Sequence, residues 1–536
     1  MDRPRPAKVA LGASVVLACA VAGCGTQLPR SAFDPKVIIT TTALPVGAAA
    51  PTDAAGAVAP TAAAGAAGPS AAPQAGTNEP GPGATTTVTG PQPTTAGPHP
   101  ASGAAPTTGA SRPSTGTSGS AKAIGTLTAS DVGVSATQIT VGNIVSAGGI
   151  FGPEQFGSSA YGSLAYFDDL NTRGGINGRQ VIEHAYNDTG SGSEDIGVVK
   201  QAINTDKVFA FVGNNIYQYD GAPFVSSSGT PDIGGQPIHS EYYRYPHLYN
   251  FLGYNGPQDG TSYGYSNNNY FAPEYATYFT TTLHVKTLGI VHYDIPGAAR
   301  AAAGVEGGFK QVGVTVKEYA VNLGLPNFAN AVAQMQSDGV DAVADTLDTN
   351  GNAKLCQAME GNTSFLAQVK AKISTISTWS QRIPAEYAQT PKCRALLYST
   401  GSTIAYSDTS NPVVAQFRAA MQRYYPARAN LLSQWTFEGW LAAELFTEAA
   451  TSCGANLTRA CVEAYITKPG FVFDPHNTTT GLTWSKQPQS TFTTKPKARA
   501  CTSIGHWSDA QGTFVSVADP ATTCYPNLPY FSVPAS

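Results

Sequence analysis

Charge is scarce in this chain. Of its 536 residues only 12% are Asp, Glu, Lys or Arg, and the formal net charge is −4. No cluster of Lys and Arg occurs, so the electrostatic footprint of a nucleic-acid binder is missing. Catalytic signatures are missing too. The chain holds no G-x-S-x-G elbow, no H-E-x-x-H helix and no P-loop. None of its cysteines has the CxxC spacing of a zinc or redox site. The 8 histidines show no metal-ligand spacing; His239 and His247 are a neighbouring pair in a loop. Residues 188–195 hold several acids but lack the alternation and glycine placement of an EF-hand, and read as a turn leading into a helix. These absences leave no metal and no cofactor expected, and argue against an enzyme.

A long apolar run is absent as well. The stretch 9–21 is apolar but shorter than the roughly 20 residues a membrane span needs. It follows a basic start (Arg3, Arg5, Lys8) and ends in Val21-Ala22-Gly23-Cys24. That is the layout of a secretory signal. Cys directly after the small residues resembles the lipobox of bacterial lipoproteins. The resemblance implies removal of 1–23, lipidation at Cys24 and a place on the extracytoplasmic face of the cell membrane.

Between Lys36 and Lys122 the only charged residues are Asp53, Glu79 and Arg112. The rest is mainly Ala, Pro, Thr and Gly, with too little bulky apolar surface to offset the entropy of ordering it. Residues 24–125 therefore read as a lipidated start followed by a disordered tether. Residues 126–536 exceed what one hydrophobic core usually holds, so two lobes are expected. Six cysteines fall there: Cys356, Cys393, Cys453, Cys461, Cys501 and Cys524. An even number in an exported chain reads as disulfides. Pairing neighbours in sequence is one of several open arrangements.

Apolar periodicity predicts a strand at 138–145, a helix carrying Phe156, Ala160, Leu164 and Phe167, and a stop at Gly174-Gly175. Strands at 180–186, 208–212 and 231–235 and a helix at 193–204 come next. After a Tyr-rich stretch the pattern restarts. Strands are expected at 287–293, 315–321 and 341–346, with helices at 298–312, 328–337 and about 352–360. Two such series predict two doubly wound α/β lobes with parallel sheets, the first about 130–253 and the second about 254–390, each with later segments. Ligands in such sheets bind beyond the C-terminal strand ends.

Several segments now carry a resemblance. Asn171-Thr-Arg-Gly-Gly-Ile-Asn-Gly-Arg179 looks like the N-x-x-G-G-I-x-G turn of the type I periplasmic binding proteins of the branched-chain amino acid class. In the right order come 138–149, Gly307-Gly-Phe-Lys310, Asp338-Gly-Val-Asp-Ala-Val343, Glu438-Gly-Trp-Leu-Ala-Ala443 and Thr480-Gly-Leu-Thr-Trp484. The resemblance implies two lobes joined by a hinge that close on a small polar ligand, such as an amino acid or amide, for an ABC permease in the membrane. It places ligand loops at Ser146, Ala147 and Gly148, at Asn214, Asn215 and Tyr217, and at Gly234, Gly235 and Gln236. In the second lobe it points to Tyr293 or Asp294 and to Asp348 or Asn350. Asn and Gly stand where the family often has Ser or Thr, a departure that weakens the case for an α-amino acid. A sensing or interaction lipoprotein of the same fold is the alternative reading, and a secreted enzyme a remote one.

Overall fold

The computed structural model describes residues 26–27, 125–148, 155–236, 238–374, 376–518 and 521–535. The expected signal, the expected lipidation site Cys24 and the expected tether lie outside these residues, apart from Thr26–Gln27 and Gly125.

The first sheet runs in the order β1-β3-β2-β4-β5-β6. Its strands are β1 (Thr26–Gln27), β2 (Gln138–Val145), β3 (Gln180–Asn187), β4 (Ala210–Val212), β5 (Asp232–Gly235) and β6 (Leu248–Asn250). From β2 to β6 every pairing is parallel, while β1 adds an antiparallel edge to β3. All three residues of β4 are buried, as in a strand covered on both faces. The chain enters at β2 and then builds outward to either side. The order therefore switches between β2 and β4.

The second sheet has the same plan. β8 (Thr287–Tyr293) lies between β9 (Thr315–Val321) and β10 (Ala342–Thr346), and β11 (Lys372–Ser374) and β12 (Leu397–Gly401) extend it in parallel. Beyond β12 the sheet differs from the all-parallel expectation. β13 (Lys497–Ser508), β14 (Thr513–Ser516) and β15 (Thr522–Leu528) join antiparallel. A separate ribbon pairs β7 (Asn268–Phe271) with β16 (Phe531–Pro534). The ends of β8, β9 and the helix Phe328–Ser337 coincide with those expected from the sequence.

Helix α1 (Ser158–Thr172) covers the first sheet. The helices α2 (Gly192–Asn204), α3 (Pro296–Gln311) and α4 (Thr349–Gly361) come after β3, β8 and β10 in turn. After β12 the chain returns to the first lobe through α5 (Pro412–Tyr424) and α6 (Gln434–Ser452). α6 is apolar nearly all round and buried from Gln434 to Ala443, which marks a central helix rather than a surface one. Its start is fixed by a capping box in which Ser433 and Thr436 satisfy each other's backbone N–H. α1 and α6 touch where Gly162 faces the Thr436 carbonyl and Gly439 faces that of Ser159.

Three chain crossings join the lobes. Thr480 N donates to Ser402 O at 2.8 Å and Ile404 N to Thr478 O at 2.9 Å. Tyr254 N donates to Thr483 O at 2.8 Å, and Trp484 Nε1 to Asn250 O at 2.7 Å. Segments near 250–254, 402–404 and 478–484 are thus laced into one hinge. Disulfides bond Cys356 to Cys393, Cys453 to Cys461, and Cys501 to Cys524, the pairing of neighbours in sequence.

Candidate functional site

The loops after β2 and β4 flank the switch in the first sheet, where parallel sheets open a crevice. Ser146 is fully buried there. Its hydroxyl accepts from Tyr217 N at 2.8 Å, and its own N–H donates to Asn215 O at 3.0 Å. Ala147 is held at both backbone groups by the Asn187 amide, at 2.9 and 2.8 Å. Gly148 lies against Thr189. The two loops therefore form one braced rim.

Asn214 and Asn215 are both fully buried, but they do different work. Asn214 Oδ1 accepts from Ile144 N at 2.7 Å, which ties β4 to β2. Neither amide atom of Asn215 has a partner. A buried amide without partners is costly unless a bound group satisfies it. Gly234 and Gly235 are buried by close packing against Ala442 and the Tyr242 hydroxyl, so their contribution is to let neighbours approach. Gln236 reaches back to Glu438 at 2.7 Å.

Across the crevice, Tyr293 ends β8 and donates its hydroxyl to Asp348. Burial, with Asp348 adding to it, pushes the Tyr293 phenol above its usual range. Asp348 also caps α4 by accepting from Gly351 N at 2.9 Å. Both residues sit at the switch of the second sheet. Asp294 and Asn350 are exposed, and Asp294 accepts from Asn322 at 3.2 Å.

A fully buried network supports the Asp348 loop. Lys372 pairs with Asp345 and donates to Asn352 Oδ1 and Ser374 Oγ, each at 2.8 Å. Asn352 Nδ2 then donates to the Leu347 and Asp348 carbonyls, both at 3.2 Å. Burial lowers the Lys372 pKa, opposed by Asp345. Acids beneath the first-lobe rim shift the other way. Burial raises Asp188 to about 6, with the Ser146 hydroxyl in part opposing it. It also raises Asp232 to about 6, although the Tyr219 and Tyr242 hydroxyls both donate to that carboxylate.

Sequence reading missed several contacts here. Gln155 accepts from Thr349 N at 3.5 Å and so reaches the second lobe. Phe156 stacks on Trp435 with ring centroids 5.3 Å apart and lies 5.8 Å from Tyr217. Trp435 opens α6, far away in sequence, so no local signal could have joined it to Phe156. Arg300 of α3 adds a second contact between the lobes, to Ser240 Oγ at 3.4 Å.

No group of acids, His or Cys able to hold a metal is found among the described residues. No helix among them is long and apolar enough to cross a membrane. A depression lined by Tyr319, Asn322, Leu325, Asn327 and Gln334 lies along edge strand β9.

The arrangement can be set beside known proteins. Residues 138–491 match the family model described as periplasmic binding protein. Among solved structures, a fatty acid ABC transporter substrate-binding protein from Thermomonospora curvata is 15% identical with a TM-score of 0.56, covering 73% of this chain and 94% of that one. A leucine-binding protein from Thermotoga maritima is 13% identical with a TM-score of 0.52, over 71% and 98%. An ABC transporter solute-binding protein from Rhodopseudomonas palustris, solved with 3,4-dihydroxybenzoic acid, is 14% identical with a TM-score of 0.53, over 73% and 98%. At these identities the likeness is one of fold. No curated protein matches the chain significantly.

Proposed function

This chain belongs to the periplasmic binding protein family, and from that premise we propose that it is an extracytoplasmic solute-binding protein. It captures a small polar ligand between its two lobes and presents it to an ABC importer. Cys24, outside the described residues, is its lipid anchor. One observation carries the reading. The unpartnered amide of Asn215 lies at the switch of the first sheet, and the Tyr293–Asp348 pair lies at the switch of the second. The amide offers a donor and an acceptor, and Asp348 offers negative charge. That set favours an amino acid, an amide or a similar polar solute over a purely apolar one. The ligands of the similar proteins span a fatty acid, leucine and an aromatic acid, so fold does not choose among them.

The test is retention. Purified protein is dialysed against pools of amino acids, amides, sugars and aromatic acids, and the retained solute is identified by mass spectrometry. Binding of that solute should weaken roughly tenfold in Asn215→Ala and in Tyr293→Phe, as expected for one lost hydrogen bond. Retention of nothing, or an affinity indifferent to both changes and to Asp348→Asn, would overturn the reading. Fatty-acid labelling that is lost in Cys24→Ala checks the anchor.

A further inference from the structure

Two opposite charges are buried beneath the second-lobe rim. Lys372 of β11 pairs with Asp345 of β10, and neither side chain reaches solvent. A buried ion pair is a weak source of stability. Apolar side chains of similar volume often do as well or better, because no charge then has to leave water. The pair therefore calls for a second reason, and its hydrogen bonds supply one.

Those bonds converge on two neighbouring residues. Lys372 Nζ donates to Asn352 Oδ1 and to Ser374 Oγ, each at 2.8 Å. With Asn352 Oδ1 committed to the ammonium, Nδ2 is the edge that faces the loop. It donates to the Leu347 and Asp348 carbonyls, both at 3.2 Å. From the other end of the pair, Asp345 Oδ1 accepts from Leu347 N at 3.2 Å. Leu347 is thus held at both of its backbone groups, and Asp348 at its carbonyl. The Asp348 carboxylate in turn receives the Tyr293 hydroxyl and Gly351 N.

We propose that Lys372 and Asp345 are positioning residues for the solute: acting through Asn352 and Leu347 N, the pair fixes the Leu347–Asp348 backbone and so sets where the Asp348 carboxylate stands. The proposal rests on the solute-binding reading, in which Asp348 faces the solute and the pair beneath it does not. It gives the buried charges a task in geometry rather than in stability.

The double variant Asp345→Leu/Lys372→Met separates those two tasks. Both charges go at once, so none is left stranded, and the melting temperature should match or exceed the parent's. Leu347 N loses its acceptor, however, and Asn352 loses the cation that orients it. Deuterium exchange across 347–352, read by mass spectrometry without any solute, should quicken. Solute carried through dialysis against the amino-acid and amide pools should fall roughly tenfold. Asp345→Asn is the rescue. It keeps an acceptor for Leu347 N. Burial already lowers the Lys372 pKa, opposed by Asp345. Without that carboxylate the amine stands neutral, accepts from the new amide and still donates to Asn352 and Ser374. Exchange and retention should return toward the parent's. If the apolar pair fails to fold, Asn352→Leu serves, since it leaves the ion pair in place and deletes the bonds to the two carbonyls. Unchanged exchange at 347–352 in the apolar variant overturns the proposal. So does quickened exchange with undiminished retention, or retention that falls only in step with the melting temperature, as a merely structural pair would give. A parent protein that retains no solute removes the solute-binding reading instead, and the exchange measurement tells the two failures apart.

Discussion

Asn214 and Asn215 stand side by side after β4, equally buried, and their amides are used differently. Asn214 closes a hydrogen bond that the sheet needs, to Ile144 N. Asn215 closes none within the protein. Asn214→Leu should therefore lower stability by about 1–3 kcal/mol, since it strands a buried N–H. Asn215→Leu should leave stability unchanged or raise it, while abolishing the retention of solute. Chemical denaturation of the two variants checks this, and the reverse order of stabilities would remove Asn215 from the candidate site. The same logic separates the glycines from the polar residues of the rim. Gly234 and Gly235 were expected at the ligand, and their closest neighbours are Ala442 and Tyr242.

At the scale of elements, the crossing of α1 and α6 is the tightest demand on the sequence. A Cβ at Gly439 would lie 2.1 Å from the Ser159 carbonyl, and one at Gly162 would lie 1.8 Å from that of Thr436. Both obstacles are backbone, so neither can rotate away. Gly439→Ala should cost at least about 1–3 kcal/mol by overpacking. Gly304, inside α3 with open space around its would-be Cβ, supplies the contrast. Gly304→Ala should stabilise by about 0.5–1 kcal/mol through helix propensity. Melting temperatures moving together in the two variants would show that the crossing is looser than it stands here. On its other side α6 approaches Gly234 through Ala442, and Glu438 comes within hydrogen-bond reach of Gln236.

For the whole molecule, stability should depend on pH through its buried acids. Burial is the leading cause for each: Asp188 and Asp232 rise to about 6, Glu438 and Glu444 to about 7. A raised carboxyl binds its proton more tightly folded than unfolded. Its stabilising contribution is complete below the unfolded value near 4 and is lost as pH rises through about 6–7. Each acid then removes on the order of 1–3 kcal/mol. The melting temperature should fall between roughly pH 4 and 7, and scanning calorimetry across that range checks it. A maximum at or above about pH 8 would mean that these groups are solvated. Glu438→Gln should flatten the slope in part, because one of the four acids no longer titrates.

Local periodicity was enough for most strands and helices of the two series, because residues 138–360 alternate apolar runs with glycine and polar breaks at the right lengths. It was enough also for the parallel character of β2 to β6 and of β8 to β12, and for ending β8 at Tyr293. Composition alone marked residues 24–125 as different from residues 126–536. Neither source could place β13, β14 and β15 antiparallel beside β12, since strand pairing depends on partners distant in the chain. The hinge was equally hidden, for it is made where 250–254, 402–404 and 478–484 meet. Asn214 and Asn215 were indistinguishable as letters, and only the direction of each side chain decided which one holds the sheet. Glu438 read as part of a helix motif. Its hydrogen bonds with Gln236 and Thr403 come from a helix packing close to both, and sequence spacing does not encode that proximity.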